Sequence, residues 1–283
     1  MGSNLTSWQR LGIAKLRRKA GRRRGQPLQP EDWKVALEVH EELATHMVSR
    51  ALFALPRGPR CGICGAPFAG PGARLVGPLG YRPSRKNPTT CDVCVEFSPP
   101  GGMKLVTGVF FADLRGFTAR FDGGDPEEAS KLLAHFYRCA EDVLFPDAVI
   151  DKLIGDEVMA LYLPDLKRRT MSPADVPALM LEHARRLLRA VGYGSPDGPF
   201  VEMGIGLDFG EAFVGNIGER ALFDFTAVGD VVNTASRLQG QAAGGEIVMS
   251  HRVAEGLPAP VGTPVELVLK GKAEPQAGYR VRV

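Results

Sequence analysis

Val109-Phe-Phe-Ala-Asp-Leu-Arg-Gly-Phe-Thr118 sets four apolar residues ahead of a single acid and then turns. The apolar run predicts a buried strand, and Gly116-Phe117-Thr118 predicts a turn that opens a helix. Asp113 therefore stands at a strand end beside exposed backbone N–H groups, a setting that suits a cation and phosphate oxygens. A second stretch, Ile150-Asp-Lys-Leu-Ile-Gly-Asp-Glu-Val-Met-Ala160, alternates about Gly155-Asp156. That dipeptide suits a tight hairpin turn from which Asp156 projects. Two carboxylates on neighbouring strand ends are what a pair of hard divalent ions needs, since Mg²⁺ takes one or two carboxylates plus phosphate oxygens. The third stretch is Phe225-Thr-Ala-Val-Gly-Asp-Val-Val-Asn-Thr-Ala-Ser-Arg237. It places Asn233 and Arg237 four residues apart, on one helix face.

Each residue alone has a plainer explanation. Asp113 or Asp156 could be a turn or cap residue, Arg237 a surface ion pair, and Lys152 a solvated strand residue. Three motifs in this order weaken those explanations together. Taken together they resemble the catalytic domain of class III nucleotidyl cyclases, the adenylate and guanylate cyclases, over roughly Lys104 to Val283. The resemblance implies a ferredoxin-like palm fold with extra strands and an adenylate cyclase that converts ATP to 3′,5′-cyclic AMP and pyrophosphate. It further implies that Asp113 and Asp156, supported by backbone near Leu114, hold two Mg²⁺ or Mn²⁺ ions, with Gly116 and Phe117 at the triphosphate. Lys152 takes the base-reading position. A lysine only donates, which suits the bare N1 of adenine and opposes the N–H of guanine. Thr226 takes the partner position, where many adenylate cyclases carry Asp. The Lys/Thr pair resembles the subgroup that includes bicarbonate-responsive cyclases. Arg237 would stabilise the transferring phosphoryl group and Asn233 would orient the ribose. Lys270 matches the phosphate-contacting lysine, with Lys272 as the nearby alternative. In the family the metal carboxylates come from one protomer and the base-reading and transition-state residues from the other. One chain carries both sets here, so a homodimer with two shared sites is expected.

Outward from these motifs the chain changes character. Residues 1–30 carry eight Lys/Arg and no acid, which leaves 27 basic and 32 acidic residues in the rest and a net charge of +3 overall. The basic run Trp8–Arg24 is helix-compatible. It reads either as an arm for an anionic membrane surface or nucleic acid, or as a solvated tail, the commoner fate of charge runs. Pro30-Glu-Asp-Trp33 predicts a helix start, with an apolar stripe through Trp33, Leu37, Leu43, Met47, Leu52 and Phe53. His40 and His46 on that helix read as surface or packing residues.

Cys61-Gly-Ile-Cys64-Gly and, further on, Cys91-Asp-Val-Cys94 form two Cys-x-x-Cys pairs. Cys61, Cys64, Cys91 and Cys94 together predict a closed tetrahedral zinc site of structural type, with a Cys₄ iron–sulfur centre as the rival. The intervening Gly/Pro/Arg-rich stretch has too few apolar residues for its own core, and metal binding would supply the missing folding energy. The expected organisation is a basic tail over 1–30, a helix plus zinc-ribbon-like module over 31–100, and a catalytic domain over 104–283. Ser98-Pro-Pro-Gly-Gly102 reads as the linker.

Beyond it the pattern predicts strand 105–113, helix 127–144, strands 149–154 and 157–163, helix 174–191, and strands 200–208, 211–217 and 222–228. Helix 230–241, strand 246–249 and a hairpin over 265–283 complete an α+β layer. Cys139 reads as a buried small hydrophobe. With 44% hydrophobic and 24% charged residues the composition is that of a globular protein, and no apolar run approaches the ~20 residues of a membrane helix. A cytoplasmic location follows as the default. Two other functions remain open: a degenerate cyclase fold that only senses nucleotide, and a nucleic-acid module with a cyclase effector. The Asp113/Asp156/Asn233/Arg237 set argues against the first, and the few aromatics in the basic run against the second.

Overall fold

Residues 14–23, 26–36, 59–62, 64–84, 90–145, 147–164, 171–219 and 222–283 are described by the structure, a computed structural model. In chain order the elements are α1 (Gly70–Val76), α2 (Asp92–Phe97), β1 (Gly101–Leu114), α3 (Phe117–Phe121) and α4 (Pro126–Leu144). Then follow β2 (Val149–Ile154), β3 (Glu157–Tyr162), α5 (Val176–Ala190), β4 (Met203–Glu219) and β5 (Leu222–Val228). The chain ends with α6 (Asp230–Gln241), β6 (Glu246–Ser250), α7 (His251–Glu255), β7 (Thr263–Leu267) and β8 (Gln276–Arg282).

The strands form one eight-stranded mixed sheet in the order β2-β3-β1-β4-β6-β8-β7, with β5 also paired to β4. Its β2-β3-β1-β4 portion, with α4 and α5 as the two crossovers, is the ferredoxin-like palm; β5 to β8 are the extra strands. Local chemistry sets the helices. Asp125 caps α4 by accepting from the Glu127 N–H at 2.9 Å, Pro126 follows at the first position, and Glu127 and Glu128 fill the first turn. The face of α4 made by Phe136, Ala140, Val143 and Leu144 is buried, as is that of α5 through Met180, Ala184, Leu187 and Leu188. Both faces join Phe110, Ala112, Tyr162, Ile205, Leu207, Ile247 and Met249 in one core.

Three expectations change. The strands expected at 200–208 and 211–217 are one strand, β4. Gly206, inside that strand, lies under α6, where a Cβ would come within 2.2 Å of the Gln239 nitrogen, so glycine here serves a close approach. The linker at 98–102 is packed structure: the side-chain amide of Asn216 donates to the Ser98 and Pro99 carbonyls, and Pro100 bridges Asn216. A Cβ on Gly102 would lie 2.3 Å from the Val214 carbonyl oxygen, so this Gly pair also permits backbone contact. Cys139 is half-buried rather than buried, with its Sγ 3.7 Å from the Ala190 carbonyl.

The chain divides into two compact units, one of residues 1–105, 165–170 and 213–227, the other of 106–164, 171–212 and 228–283. In the first, residues 14–19 of the basic run are helical, and Leu16 is buried against the four paired cysteines. Arg22 is engaged by Glu31 (2.7 Å) and Asp32 (3.0 Å). Trp33 is buried, its indole N–H donates to the Pro100 carbonyl, and its ring lies 6.3 Å from that of Phe225 on β5. Residues 33–36 are helical; the rest of the stripe, from Leu37 to Phe53 with His40 and His46, lies outside the described residues, as do residues 1–13. Among the described residues no helix is long and apolar enough to cross a membrane.

Candidate active site and cysteine cluster

Antiparallel pairing of β1 with β3 builds an acidic corner. Asp113 lies opposite Glu157 in the register, and Asp156 precedes it in the β2–β3 turn. The Leu114 N–H donates to the Asp156 carbonyl at 3.2 Å, which locks the turn to the end of β1, while the Leu114 side chain is buried. Burial and the nearby Asp156 charge push the Asp113 carboxyl up, against Arg115 and Gln239, which pull it down. Burial, then Asp113 and Asp156, push Glu157 up to about 7. Like charges held this close repel unless a cation shares them, and an all-oxygen donor set of this kind fits Mg²⁺ or Mn²⁺. Gly116 caps α3 in the left-handed region at φ 69°, a conformation that favours glycine, and Phe117 begins the helix with its ring 4.9 Å from Phe121.

Three supporting contacts had no signature in the sequence. The Tyr137 hydroxyl on α4 donates to the Gly155 carbonyl and pins the turn that carries Asp156. Arg115 Nη1 donates to Asp113 Oδ2 at 2.7 Å, and Gln239 Nε2 donates to the same oxygen at 3.0 Å. The guanidinium continues to the end of α6, with Nε donating to the Ala242 carbonyl at 2.9 Å and Nη2 to the Gln239 carbonyl.

On α6, Asn233 is exposed and Arg237 half-buried, while Val231, Thr234, Ala235 and Leu238 turn inward. The 270–272 loop lies against Arg237: a Cβ on Gly271 would sit 3.4 Å from Arg237 Nη2. Lys272 Nζ is 2.5 Å from Asp230, the first residue of α6, while Lys270 is exposed. The lysine pair is thus divided between a helix-anchoring role and an outward-facing ammonium. Bonding to Lys272 chiefly holds the Asp230 carboxyl below its usual range. Lys152 pairs with Met159 on β3 just after a register shift at Ile150/Lys152, and its side chain lies outside the described set. Thr226, half-buried on β5, belongs to the first unit, whereas Asp113, Asp156, Asn233, Arg237 and Lys270 belong to the second.

The four cysteines Cys61, Cys64, Cys91 and Cys94 are brought together and buried, with all sulfurs within 4.8 Å of one another. Cys61 and Cys94 sulfurs are 3.7 Å apart and Cys64 and Cys91 sulfurs 3.5 Å. A tetrahedron with Zn–S bonds of ~2.3 Å has edges of about 3.8 Å, so the cluster fits a tetrahedral ion. The first pair sits in a knuckle closed by Cys61 N–H to Ala66 C=O and Gly65 N–H to Cys61 C=O, with Gly65 at φ 70°. Cys61 Sγ accepts from the Cys64 and Cys91 N–H groups, and Cys91 Sγ accepts from Cys94 N–H as the N-cap of α2. Backbone N–H groups aimed at sulfur are what thiolate ligands require. These cysteines are in the first unit.

Known proteins are similar to this chain in its catalytic part. An adenylate cyclase of Anabaena cylindrica is 28% identical over 185 residues, 62% of this chain and 36% of that protein. Adenylate cyclase 1 of Rhizobium meliloti is 31% identical over 132 residues, 46% of this chain and 20% of that protein. The chain thus spans about a third or less of these relatives. Among solved structures, the guanylyl cyclase Cya2 superposes with TM-score 0.55 at 29% identity, covering 64% of this chain and 93% of that one. The adenylyl cyclase CyaB from P. aeruginosa superposes with TM-score 0.54 at 26% identity, covering 64% and 96%. The profile of the adenylate and guanylate cyclase catalytic domain matches residues 103–277, and the chain belongs to that family.

Proposed function

We propose that the protein is an adenylate cyclase that forms 3′,5′-cyclic AMP and pyrophosphate from ATP at two sites shared across a homodimer. The observation that carries this is the joint presence, in one family member, of the Asp113–Asp156 corner and an α6 that offers Asn233 and Arg237 beside an exposed Lys270. Mg²⁺ or Mn²⁺ ions bound by Asp113 and Asp156 would lower the pKa of the ribose 3′ hydroxyl and offset charge on the phosphoryl oxygens. The remaining work falls to the protein. Arg237 stabilises charge on the α-phosphoryl group as the 3′ oxygen bonds to phosphorus and pyrophosphate departs. Asn233 orients the ribose, Lys270 neutralises the triphosphate, and the N–H groups of the Gly116–Phe117 turn face its oxygens. Lys152 donates to adenine N1 and the Thr226 hydroxyl accepts from the amino group. A guanine presents an N–H to the Lys152 ammonium instead, a donor facing a donor.

Asp113 and Asp156 of one protomer serve the site completed by Asn233 and Arg237 of its partner. The Cys₄ cluster is assigned to structural zinc: its sulfur spacing suits the ion, and four thiolates leave no position open for substrate. The test is incubation with each of the four nucleoside triphosphates and Mn²⁺ or Mg²⁺, with products identified by mass spectrometry. Cyclic AMP from ATP as the dominant product is expected. A dominant cyclic GMP overturns the base assignment, and no cyclic product from any triphosphate overturns the activity.

A further inference from the structure

We propose that Arg115 and Gln239 are positioning residues: they hold Asp113 for its cation and tie it to the end of α6, so that one clamp serves both active sites of the dimer. The inference rests on the shared-site reading above and adds a role for residues outside the motif set.

Asp113 Oδ2 accepts two hydrogen bonds, from Arg115 at 2.7 Å and Gln239 at 3.0 Å. Two donors use both lone pairs of that oxygen and fix the rotation of the carboxylate, which leaves Oδ1 as the oxygen turned to a cation. The same guanidinium donates to the carbonyls of Gln239 and Ala242, at the last turn and C-cap of α6. The Gln239 carbonyl also accepts from the Ala242 N–H at 3.0 Å, so the guanidinium adds a second donor at the helix end, where a cation favours the negative end of the dipole. Arg115 is thereby a carboxylate clamp and a helix cap at once. Lysine, with a point charge on a flexible stem, cannot reproduce that fork.

The fold makes room for the arrangement. A Cβ on Gly204 would lie 2.6 Å from Arg115 Nη2 and 2.7 Å from the Ala242 carbonyl oxygen. On Gly206, two residues along the same face of β4, a Cβ would lie 2.3 Å from the Ala235 carbonyl oxygen. The main-chain N–H of Arg115 donates to the Glu202 carbonyl at 2.7 Å, which anchors the residue to the segment leading into β4. Two bare strand positions and a main-chain anchor hold one guanidinium between a carboxylate and a helix end. In a two-fold dimer, Asp113 of a chain serves one site while α6 of the same chain serves the other. The clamp is therefore a direct hydrogen-bonded route, within one chain, between the two sites.

The test uses Arg115→Lys and Gln239→Met in the full chain. Mn²⁺ binding is followed by electron paramagnetic resonance in the presence of 3′-deoxy-ATP, which lacks the attacking hydroxyl, and melting is followed in metal-free buffer. Arg115→Lys is expected to weaken Mn²⁺ binding by at least ~10-fold, as loss of a ligand-orienting partner does, and Gln239→Met by less. A lower melting temperature with unchanged Mn²⁺ binding would mean a merely structural ion pair and would overturn the clamp. A second arm combines Asp156→Ala chains with Arg237→Ala chains, which share one intact site. Arg115→Lys in the Arg237→Ala chain should raise the half-saturating Mn²⁺ concentration. Placed in the Asp156→Ala chain, it should lower kcat and leave that concentration unchanged. No effect of the second placement overturns the link between sites. If the parental pair stays inactive, the shared-site reading fails, and the Mn²⁺ binding arm still decides whether Arg115 orients Asp113.

Discussion

The two ends of this chain are held together by different means. Around the cysteines, the buried cluster has nine members among the described residues, and four of them are the cysteines themselves, the rest being Leu16, Ala36, Ala66, Val76 and Val93. The palm buries Phe110, Phe136, Tyr162, Met180, Leu187, Leu188 and Ile205 in a continuous core between helices and sheet. Apolar burial at ~25 cal/mol per Å² favours the second over the first, whose buried side chains among the described residues are fewer and smaller. An ion is the cheapest replacement for a missing core, and the sulfur geometry is already suited to it. The local contacts differ likewise: the first region relies on backbone N–H groups aimed at sulfur, the second on packed side chains.

Removing the proposed ion should break this contrast most strongly. Structural zinc contributes on the order of 10–16 kcal/mol to small domains. Cys91→Ser, or stripping by a strong chelator, is expected to lose one bound metal per chain and to open the 59–98 region to protease. The palm should keep its cooperative melt. Elemental analysis with limited proteolysis reads both, and a metal-free chain with a protected 59–98 region would contradict the assignment. The complementary cut is Phe136→Ala, which empties a fully buried site in the palm. A loss of about 3–5 kcal/mol in denaturant unfolding is expected, with the bound metal retained.

Function separates from stability at α6. Arg237 faces the 270–272 loop rather than the core, so Arg237→Ala should reduce kcat by about 10²–10³-fold while melting changes little. Steady-state kinetics beside a thermal melt check this. A smaller effect resides on β6, paired between β4 and β8. Glu246 on β6 is buried, and it is bonded to Arg280 and Arg282 and accepts from the Ala243 N–H. Burial alone would raise its carboxyl, but the Ala243 N–H, Arg282 and Arg280 outweigh it and hold the group below its usual range. The folded state is therefore favoured above the ordinary carboxylate range, and that advantage disappears as pH falls through the depressed value. Glu246→Gln should cost about 1.5–3 kcal/mol at neutral pH and flatten the acid side of the stability profile. An unchanged acid limb would remove Glu246 as its source.

Much of the palm was legible because its signals are local. The Gly155-Asp156 hairpin, the apolar run into Asp113 and the 3.6-residue stripe of α5 each lie within one element, and each appears where the pattern places it. The cysteine spacing carried its cluster in the same way. What escaped depends on residues far apart in sequence. Arg115 reads as one more charge beside an acid until Gln239 and Ala242 are folded onto it. Gly210 falls where the pattern splits one strand into two, whereas β4 runs through it. Leu16 sits among basic residues that suggest a tail, and its burial depends on the cysteine cluster folded against it. The motif points to Lys270, with Lys272 as the alternative, and only the fold shows that Lys272 is ion-paired with Asp230.

The central claim is that each active site is assembled from acids of one chain and the α6 residues of another. Mixing inactive Asp156→Ala and Arg237→Ala chains and assaying cyclic AMP tests it most directly. Random pairing into two-fold dimers predicts recovery of about a quarter of the unmodified activity, from one intact site in half of the dimers. Mixed dimers that form, verified by distinct tags on the two chains, and yet make no cyclic AMP would contradict it.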